Sequence, residues 1–331
     1  MNLLMATELS KDASFDVYFY VERATKLPDE LRVVACGSLD AALKMAGDAE
    51  LDFFVTDVTV QYQRMKHLVK QYESNNLNVI VRLGLIPSSK ILNLLSESTS
   101  IKSVIAVEQT VFDILRDHPV SKKMHVVQNS IPLQMYKQHY PKDISSDCVE
   151  ITYLGSLVPQ KGFGLLAKIW KQILEQHPFA VLNVIGTGQV YGLGDKMGKW
   201  GIAEETFESE LRKHLMDSDG NPHRSVIFHG ILGSNKAKVI ENSTVGIANP
   251  SGATETFCLS AVELQAGGLP VIAGARYGLN DTVIDGQTGF LVKGEERLKK
   301  KLLYLLSNPD VAFNMKRAAK IMCFTVMTAA K

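Results

Sequence analysis

Asn249-Pro250-Ser251-Gly252-Ala253-Thr254-Glu255-Thr256-Phe257-Cys258-Leu259-Ser260-Ala261-Val262-Glu263-Leu264-Gln265-Ala266-Gly267-Gly268-Leu269-Pro270-Val271 is the stretch that organises this chain. Ahead of it, Thr244 to Ala248 is an apolar run of strand length. Asn249 to Thr256 then reads as a polar loop, and Phe257 to Ala266 has the apolar spacing of a helix. Gly267 and Gly268 stop that helix before a second strand at Leu269 to Ala273. Strand, loop, helix and strand in this order form the unit of a parallel sheet, whose ligands meet the loops at the carboxyl ends of the strands.

The same alternation extends in both directions. Towards the carboxyl side lies a helix at Glu295 to Leu306. Towards the amino side, strands are expected at Glu150 to Leu154, Ala180 to Ile185 and Ser225 to Phe228, with helices at Gly164 to Gln176 and Lys236 to Glu241. A second series occupies the first part of the chain. Its strands are expected at Asn2 to Ala6, Arg32 to Cys36, Leu51 to Val55, Asn78 to Arg82, Ser103 to Val107 and Met124 to Gln128, with helices at Ser38 to Ala46 and Lys90 to Ser96 between them. Continuous apolar strands alternating with helices imply an α/β protein with doubly wound parallel sheets covered on both faces.

The pattern breaks from Pro132 to Cys148, where a linker is expected. The chain thus divides into an amino-terminal domain over residues 1–145, a carboxy-terminal domain over 146–310, and terminal helices over 311–331 that carry Phe313, Met315, Ile321, Met322 and Phe324. One excursion, Val190 to His223, exceeds a minimal unit. It holds a charged helix at Glu204 to Met216 and then Asp217-Ser218-Asp219-Gly220-Asn221-Pro222, which is turn chemistry. A calcium loop would need a carboxylate at its twelfth position, where Phe228 stands.

Composition excludes several classes. With 331 residues, 46% of them apolar, the chain can build two cores, and a net charge of +1 with mixed signs offers no extended basic face for nucleic acid. No apolar run approaches the roughly 20 residues that span a bilayer, and Glu8, Lys11 and Asp12 interrupt any signal-peptide core. Cys36, Cys148, Cys258 and Cys323 are widely spaced and read as small apolar residues of a reducing compartment. A cytoplasmic location is expected, with peripheral contact at the inner face of a membrane left open.

Three motifs bear on chemistry. In Tyr153-Leu154-Gly155-Ser156-Leu157-Val158-Pro159-Gln160-Lys161-Gly162 a strand runs into a glycine-containing loop, where Gly155 permits close approach of a ligand and Lys161 can meet a phosphate beside a helix amino terminus. Taken alone, it is read rather as a plain turn with a solvated lysine. Gly186 and Gly188, in Val184-Ile185-Gly186-Thr187-Gly188, end another strand, where a tight turn is the bland alternative. In the opening stretch, Glu255 lies in the loop. The backbone N–H groups of Thr256, Phe257, Cys258 and Leu259 open the helix towards a diphosphate, Thr256 is the expected cap, and Glu263 stands two turns along, able to accept from ribose hydroxyls. A capping box of Ser260 with Glu263 is the structural alternative. His229 reads as a satisfied strand-end side chain.

Residues 150–306 resemble the donor domain of the retaining GT-B glycosyltransferases with a Glu-x7-Glu motif, the glycosyltransferase family 4-like or "glycosyl transferases group 1" enzymes. The resemblance rests on motif order: the Gly-x5-Lys-Gly loop, the glycine pair, Phe228-His229-Gly230, Pro250-Ser251, Glu255 with Glu263, Gly267 to Val271, and Asp285-Gly286-Gln287-Thr288-Gly289. It implies two Rossmann-like domains facing across a cleft and transfer of a hexose from a UDP- or GDP-sugar to a saccharide or lipid-linked acceptor. It implies further that Glu255 contacts the transferred sugar, Glu263 holds the ribose and Lys161 neutralises the leaving diphosphate. Gly155, Ser156, Gly186, Gly188 and Thr256 to Leu259 would complete the donor site. No metal and no cofactor beyond the donor substrate are expected.

Three departures stand out. Ser156 occupies the position where the family usually has an arginine, and Arg82-Leu83-Gly84 lies where a histidine near the sugar is common. Glu8-Leu9-Ser10-Lys11 replaces the glycine-rich loop expected after a first strand. A non-catalytic homologue serving as a binding or stabilising subunit is therefore the alternative.

Overall fold

The computed structural model describes residues 2–22, 27, 29, 31–136, 149–190, 196–253 and 255–326. The chain divides into two compact units, Met1–Ser130 and Ile131–Lys331. The first contains α1 (Asn2–Leu9), β1 (Tyr18–Val21), β2 (Arg32–Ala35), α2 (Leu39–Asp48), β3 (Phe54–Asp57), α3 (Tyr62–Ser74), β4 (Val79–Leu83), α4 (Ser89–Glu97), β5 (Ile101–Ala106), α5 (Gln109–Leu115) and β6 (Met124–Val126). All pairings are parallel, in a four-stranded sheet β3-β4-β5-β6 and a separate pair β1-β2. The core lies between helices and sheet, with Leu43, Met65, Tyr72, Val79, Val81, Ile91, Leu95 and Val104 buried in it. Tyr20 lies tilted against Phe54, with ring centroids 6.2 Å apart, and so ties the β1-β2 pair to this core.

Here the start of the chain departs from expectation. Asn2 to Ala6 is not a strand but part of α1, and the first strand is β1. The run Leu3, Leu4, Met5, Ala6 is apolar enough for either element, but these are strong helix formers with no β-branched residue among them. By contrast Val17-Tyr18-Phe19-Tyr20-Val21 consists entirely of strand-favouring types. Glu8-Leu9-Ser10-Lys11 is accordingly the end of a helix and its turn, closed by a Ser10 N–H to Ala6 O bond of 2.9 Å. It cannot stand for the loop that follows the first strand. The strand expected at Leu51 to Val55 starts three residues later and ends two later, as β3.

The second unit contains β7 (Glu150–Leu154), α6 (Phe163–Gln176), β8 (Val181–Ile185), α7 (Glu205–Leu215), β9 (Val226–Gly230), α8 (Lys236–Asn242), β10 (Val245–Ala248), α9 (Leu259–Ala266), β11 (Val271–Gly274), α10 (Leu279–Thr282), β12 (Gly289–Val292), α11 (Glu295–Ser307) and α12 (Pro309–Val326). Six parallel strands run in the order β12-β11-β10-β7-β8-β9. Ile151, Tyr153, Leu182, Val184 and Val245 are fully buried with Phe163, Trp170, Ile173 and Leu302 in one apolar cluster, and the α6, α7 and α11 side is closed by Trp170, whose indole N–H donates to Ser225 Oγ at 2.9 Å. α12 packs against α9 and α11.

The excursion before β9 is a folded appendage. Glu204 caps α7 by accepting from the N–H groups of Thr206 and Phe207. The buried Glu208 carboxylate clamps the preceding loop by accepting from Trp200 N–H at 2.6 Å and Ile202 N–H at 3.0 Å. Asp217 Oδ1 accepts from the N–H groups of Asp219 and Asn221, the expected turn. Among the described residues no group of three or more His, Cys, Asp or Glu could hold a metal ion, and no helix is long and apolar enough to cross a membrane.

Candidate functional site

The strand order of the second unit contains its own pointer. From β7 the chain winds through β8 to β9 and then returns to β10 on the other side of β7. The loops leaving the carboxyl ends of β7 and β10 part at this reversal, the place where open α/β sheets take ligands. Lys161 lies on the first loop and Glu255 on the second.

Glycine brings the two loops together. Gly162 has φ +72°, and a Cβ there would lie 2.5 Å from the backbone nitrogen of Ser251. A side chain would therefore meet immovable backbone as well as a strained φ. Lys161 Nζ reaches Glu255 Oε2 at 2.9 Å, with side chains 19% and 11% exposed. The same carboxylate oxygen accepts from Asn249 Nδ2 at 2.8 Å. Asn249, 3% exposed and at φ +38°, also donates to Ala253 O at 2.9 Å. Asparagine tolerates this left-handed backbone better than most residues. Ser251 Oγ completes the corner, 2.6 Å from Gln160 O and accepting from Ala253 N–H.

Beneath the pair lies Tyr153, whose hydroxyl donates towards Lys161 O at 3.0 Å and Ser156 O at 3.3 Å. Burial pushes this phenol well above its ordinary pKa, with Cys258 and Glu255 adding to the rise. It serves as a neutral donor that pins both ends of the β7–α6 loop.

The residues after Glu255 differ from expectation. Cys258, at φ −85° and ψ 83°, centres a tight turn in which Leu259 N–H donates to Phe257 O, so α9 starts at Leu259 rather than Phe257. The cap is Cys258, without a side-chain cap bond, and not Thr256. Leu259 N–H is spent inside the turn and is not presented to a ligand. Phe257 and Cys258 bury their side chains at 8% and 3% exposure. Burial, followed by the neighbouring Glu255, pushes the Cys258 thiol up. Glu263 is the fifth residue of α9, little more than one turn along it.

Glu263 is also paired. Its Oε1 lies 2.5 Å from Nζ of Lys236, the first residue of α8, and the side chains are 15% and 21% exposed. With Ser260 inside the helix and Glu263 turned to Lys236, the capping box does not form. Lys236 and Asn249 join the site in addition to the residues expected from the sequence. Lys236 is 27 positions from its partner and joins it through strand order, whereas Asn249, a polar residue at the end of a buried strand, offered a readable signal.

Gly155, Ser156, Gly186 and Gly188 line the adjoining strand ends. Gly155 N–H donates to Ile185 O and Gly186 N–H to Gly230 O, at 3.0 and 2.9 Å. A Cβ on Gly186 would sit 2.0 Å from Gly155 O, and one on Gly188 would sit 2.7 Å from Ala203 Cα. Both glycines thus have a packing reason to be small. His229 bonds Asn183 Oδ1 at 2.8 Å, and Asn183 donates to Glu150 at 2.8 Å, as a satisfied strand-end residue should. Desolvation lowers the pKa of His229, opposed by Glu150.

The sequence pattern of the family described as Glycosyl transferases group 1 matches residues 137–322, more than half of the chain, and the chain belongs to that family. The Salmonella typhimurium lipopolysaccharide 1,2-N-acetylglucosaminetransferase is 26% identical over 172 residues, covering 50% of this chain and 42% of that protein. The Streptomyces avermitilis D-inositol 3-phosphate glycosyltransferase is 41% identical over 191 residues, covering 56% and 39%. This chain spans less than half the length of these relatives. Among solved structures, Anabaena HepE in complex with UDP-glucose superposes with a TM-score of 0.76 at 15% identity, over 99% of this chain and 93% of its own. That likeness shows the fold, two Rossmann-like units of the GT-B class.

Proposed function

We propose that the protein transfers a hexose, with retention of anomeric configuration and without a metal ion, from a UDP- or GDP-sugar to a saccharide or lipid-linked acceptor. The observation that carries the reading is the largely buried Lys161–Glu255–Asn249 cluster at the reversal of strand order. Lys161 has three N–H donors and gives one to Glu255, which leaves others for a diphosphate. Oε2 of Glu255 is engaged by Lys161 and Asn249, so Oε1 can accept from hydroxyls of the sugar. Glu263 would hold the ribose.

In this scheme the acceptor oxygen bonds the anomeric carbon on the face the diphosphate leaves. The bond from that carbon to phosphate oxygen breaks, and the acceptor proton passes to the departing phosphate. Preset cationic and dipolar groups stabilise the charge that builds there. HepE was crystallised with UDP and glucose, and a Mycolicibacterium smegmatis relative is GDP-mannose-dependent, which supports a nucleotide-sugar donor of either base. Ser156, with no cationic side chain, favours one second reading, a donor-binding homologue without transfer.

The test begins with thermal stabilisation by UDP, GDP, ADP and their sugars. It continues with transfer to saccharide and lipid-linked acceptors, the product anomer being read by NMR. Stabilisation by one nucleotide, with a product of the donor's configuration, is expected. Stabilisation without turnover selects the binding homologue, and no stabilisation by any nucleotide overturns both readings.

A further inference from the structure

We infer that Lys236 is a positioning residue that sets Glu263 for the ribose, and so makes the protein discriminate ribonucleotides from deoxyribonucleotides; the inference rests on the donor-binding reading above. Glu255 and Glu263 are each met by a lysine from a separate segment: Lys161 from the β7–α6 loop and Lys236 from the start of α8. The first lysine has a role in the proposed transfer. The second has none, yet it is drawn in to 21% exposure to meet a carboxylate that is 15% exposed. Drawing two charges partly out of water carries a desolvation cost, which close contact offsets.

Packing holds this pair in register. A Cβ on Gly267 would lie 2.3 Å from Cγ2 of the fully buried Ile240, so the end of α9 touches α8 at these two residues. Lys236 lies four positions before Ile240 and Glu263 four before Gly267. One helical turn from the contact, on both segments, the lysine and the carboxylate therefore meet. With Oε1 held by Lys236, Oε2 is the acceptor left to a ligand. Tyr136, buried and 1% exposed, lies within electrostatic range of Glu263. Its hydroxyl has no hydrogen-bond partner among the described residues. A carboxylate fixed at one oxygen presents a single oriented acceptor, which suits a ribose hydroxyl rather than a phosphate.

Calorimetric titration of UDP, GDP and their 2′- and 3′-deoxy counterparts tests this on wild type, Lys236→Met, Lys236→Arg, Glu263→Gln and the Lys236→Met/Glu263→Gln double variant. Lys236→Met is expected to weaken the preferred ribonucleotide about tenfold, the scale of one charge-assisted hydrogen bond. The deoxy form lacking the contacted hydroxyl should bind nearly unchanged, Lys236→Arg should recover most of the loss, and Lys236→Met should add nothing once Glu263 is glutamine. Equal weakening of ribo and deoxy forms, or an undiminished effect beside Glu263→Gln, overturns the inference by making Lys236 a direct phosphate contact or a fold element. Wild type binding ribo and deoxy forms alike overturns it while donor binding stands. Binding of no nucleotide overturns the donor reading with it.

Discussion

The carboxyl ends of the strands are furnished differently in the two units. In the second unit Lys161, Glu255, Lys236 and Glu263 all lie between 11% and 21% exposed, in two pairs that each join separate segments. In the first unit the comparable pair is Arg82 with Asp57, directly opposed across β4 and β3 at 2.7 Å. Arg82 also reaches Asn129 at 3.2 Å, but Asp57 is 46% exposed. An exposed pair is screened and worth little, whereas paired charges held at low exposure are preset to act on a ligand. The difference places readable chemistry in the second unit, and leaves the first to be read by what it binds.

The comparison breaks first if the buried cluster is inert. Glu255→Gln and Lys161→Ala are each expected to lower donor turnover by about 10²- to 10³-fold, the scale of removing one preset electrostatic contact from a transition state. Initial rates with the nucleotide sugar that stabilises the wild type measure this. Equal rates in the variants would reduce the pair to a structural salt bridge.

Next in size is the backbone beneath the cluster. Gly186→Ala would drive a methyl group against Gly155 O at a φ of +142°. It should destabilise the protein by about 4 kcal/mol, overpacking and backbone strain together, as seen in chemical denaturation. Tolerance of alanine would mean that the loops after β7 and β8 are looser than this contact implies.

A third test concerns Lys316 on α12, 3% exposed, with Nζ 3.0 Å from Ser243 O. Burial lowers its pKa from 10.5 to about 8. Between those values the unfolded chain binds the proton that the folded protein has released, so stability rises with pH across the window. At neutral pH both states are protonated and the penalty is present in full, roughly 3 kcal/mol. Lys316→Met should therefore flatten the stability profile between about pH 8 and 10 relative to wild type. An unchanged slope would show that the amine reaches water.

The smallest effect is expected in the first unit. Arg82→Ala should cost below about 1 kcal/mol in stability, since its ionic partner is exposed. If the same substitution removes transfer while leaving nucleotide binding intact, Arg82 serves the acceptor, and the contrast between the two units narrows.

The sheet of the second unit was legible because its strands are largely apolar runs followed by glycine or asparagine, and β7, β8, β10 and β11 are buried on both faces. Its helix starts were less so: the turn at Phe257–Leu259 depends on burying a phenylalanine and a cysteine, which no local spacing announces. The beginning of the chain was misread because a short apolar run satisfies strand and helix alike, and the deciding term is the intrinsic preference of leucine, methionine and alanine.

For the candidate site, Gly155, Lys161, Glu255 and Glu263 could be named from motif order along the chain, since the first three fall on loops that follow strands and Glu263 lies a fixed eight positions after Glu255. What the amino-acid sequence determined alone was this alternation and the residue types at its junctions, both local properties. Tertiary structure decided which junctions meet. Lys161 is 94 positions from Glu255 and Lys236 is 27 from Glu263. Those encounters follow from the strand order β12-β11-β10-β7-β8-β9 and from the contacts of Gly162 with Ser251 and Gly267 with Ile240. Such close approaches depend on how separate segments pack, a property that no local stretch of sequence carries.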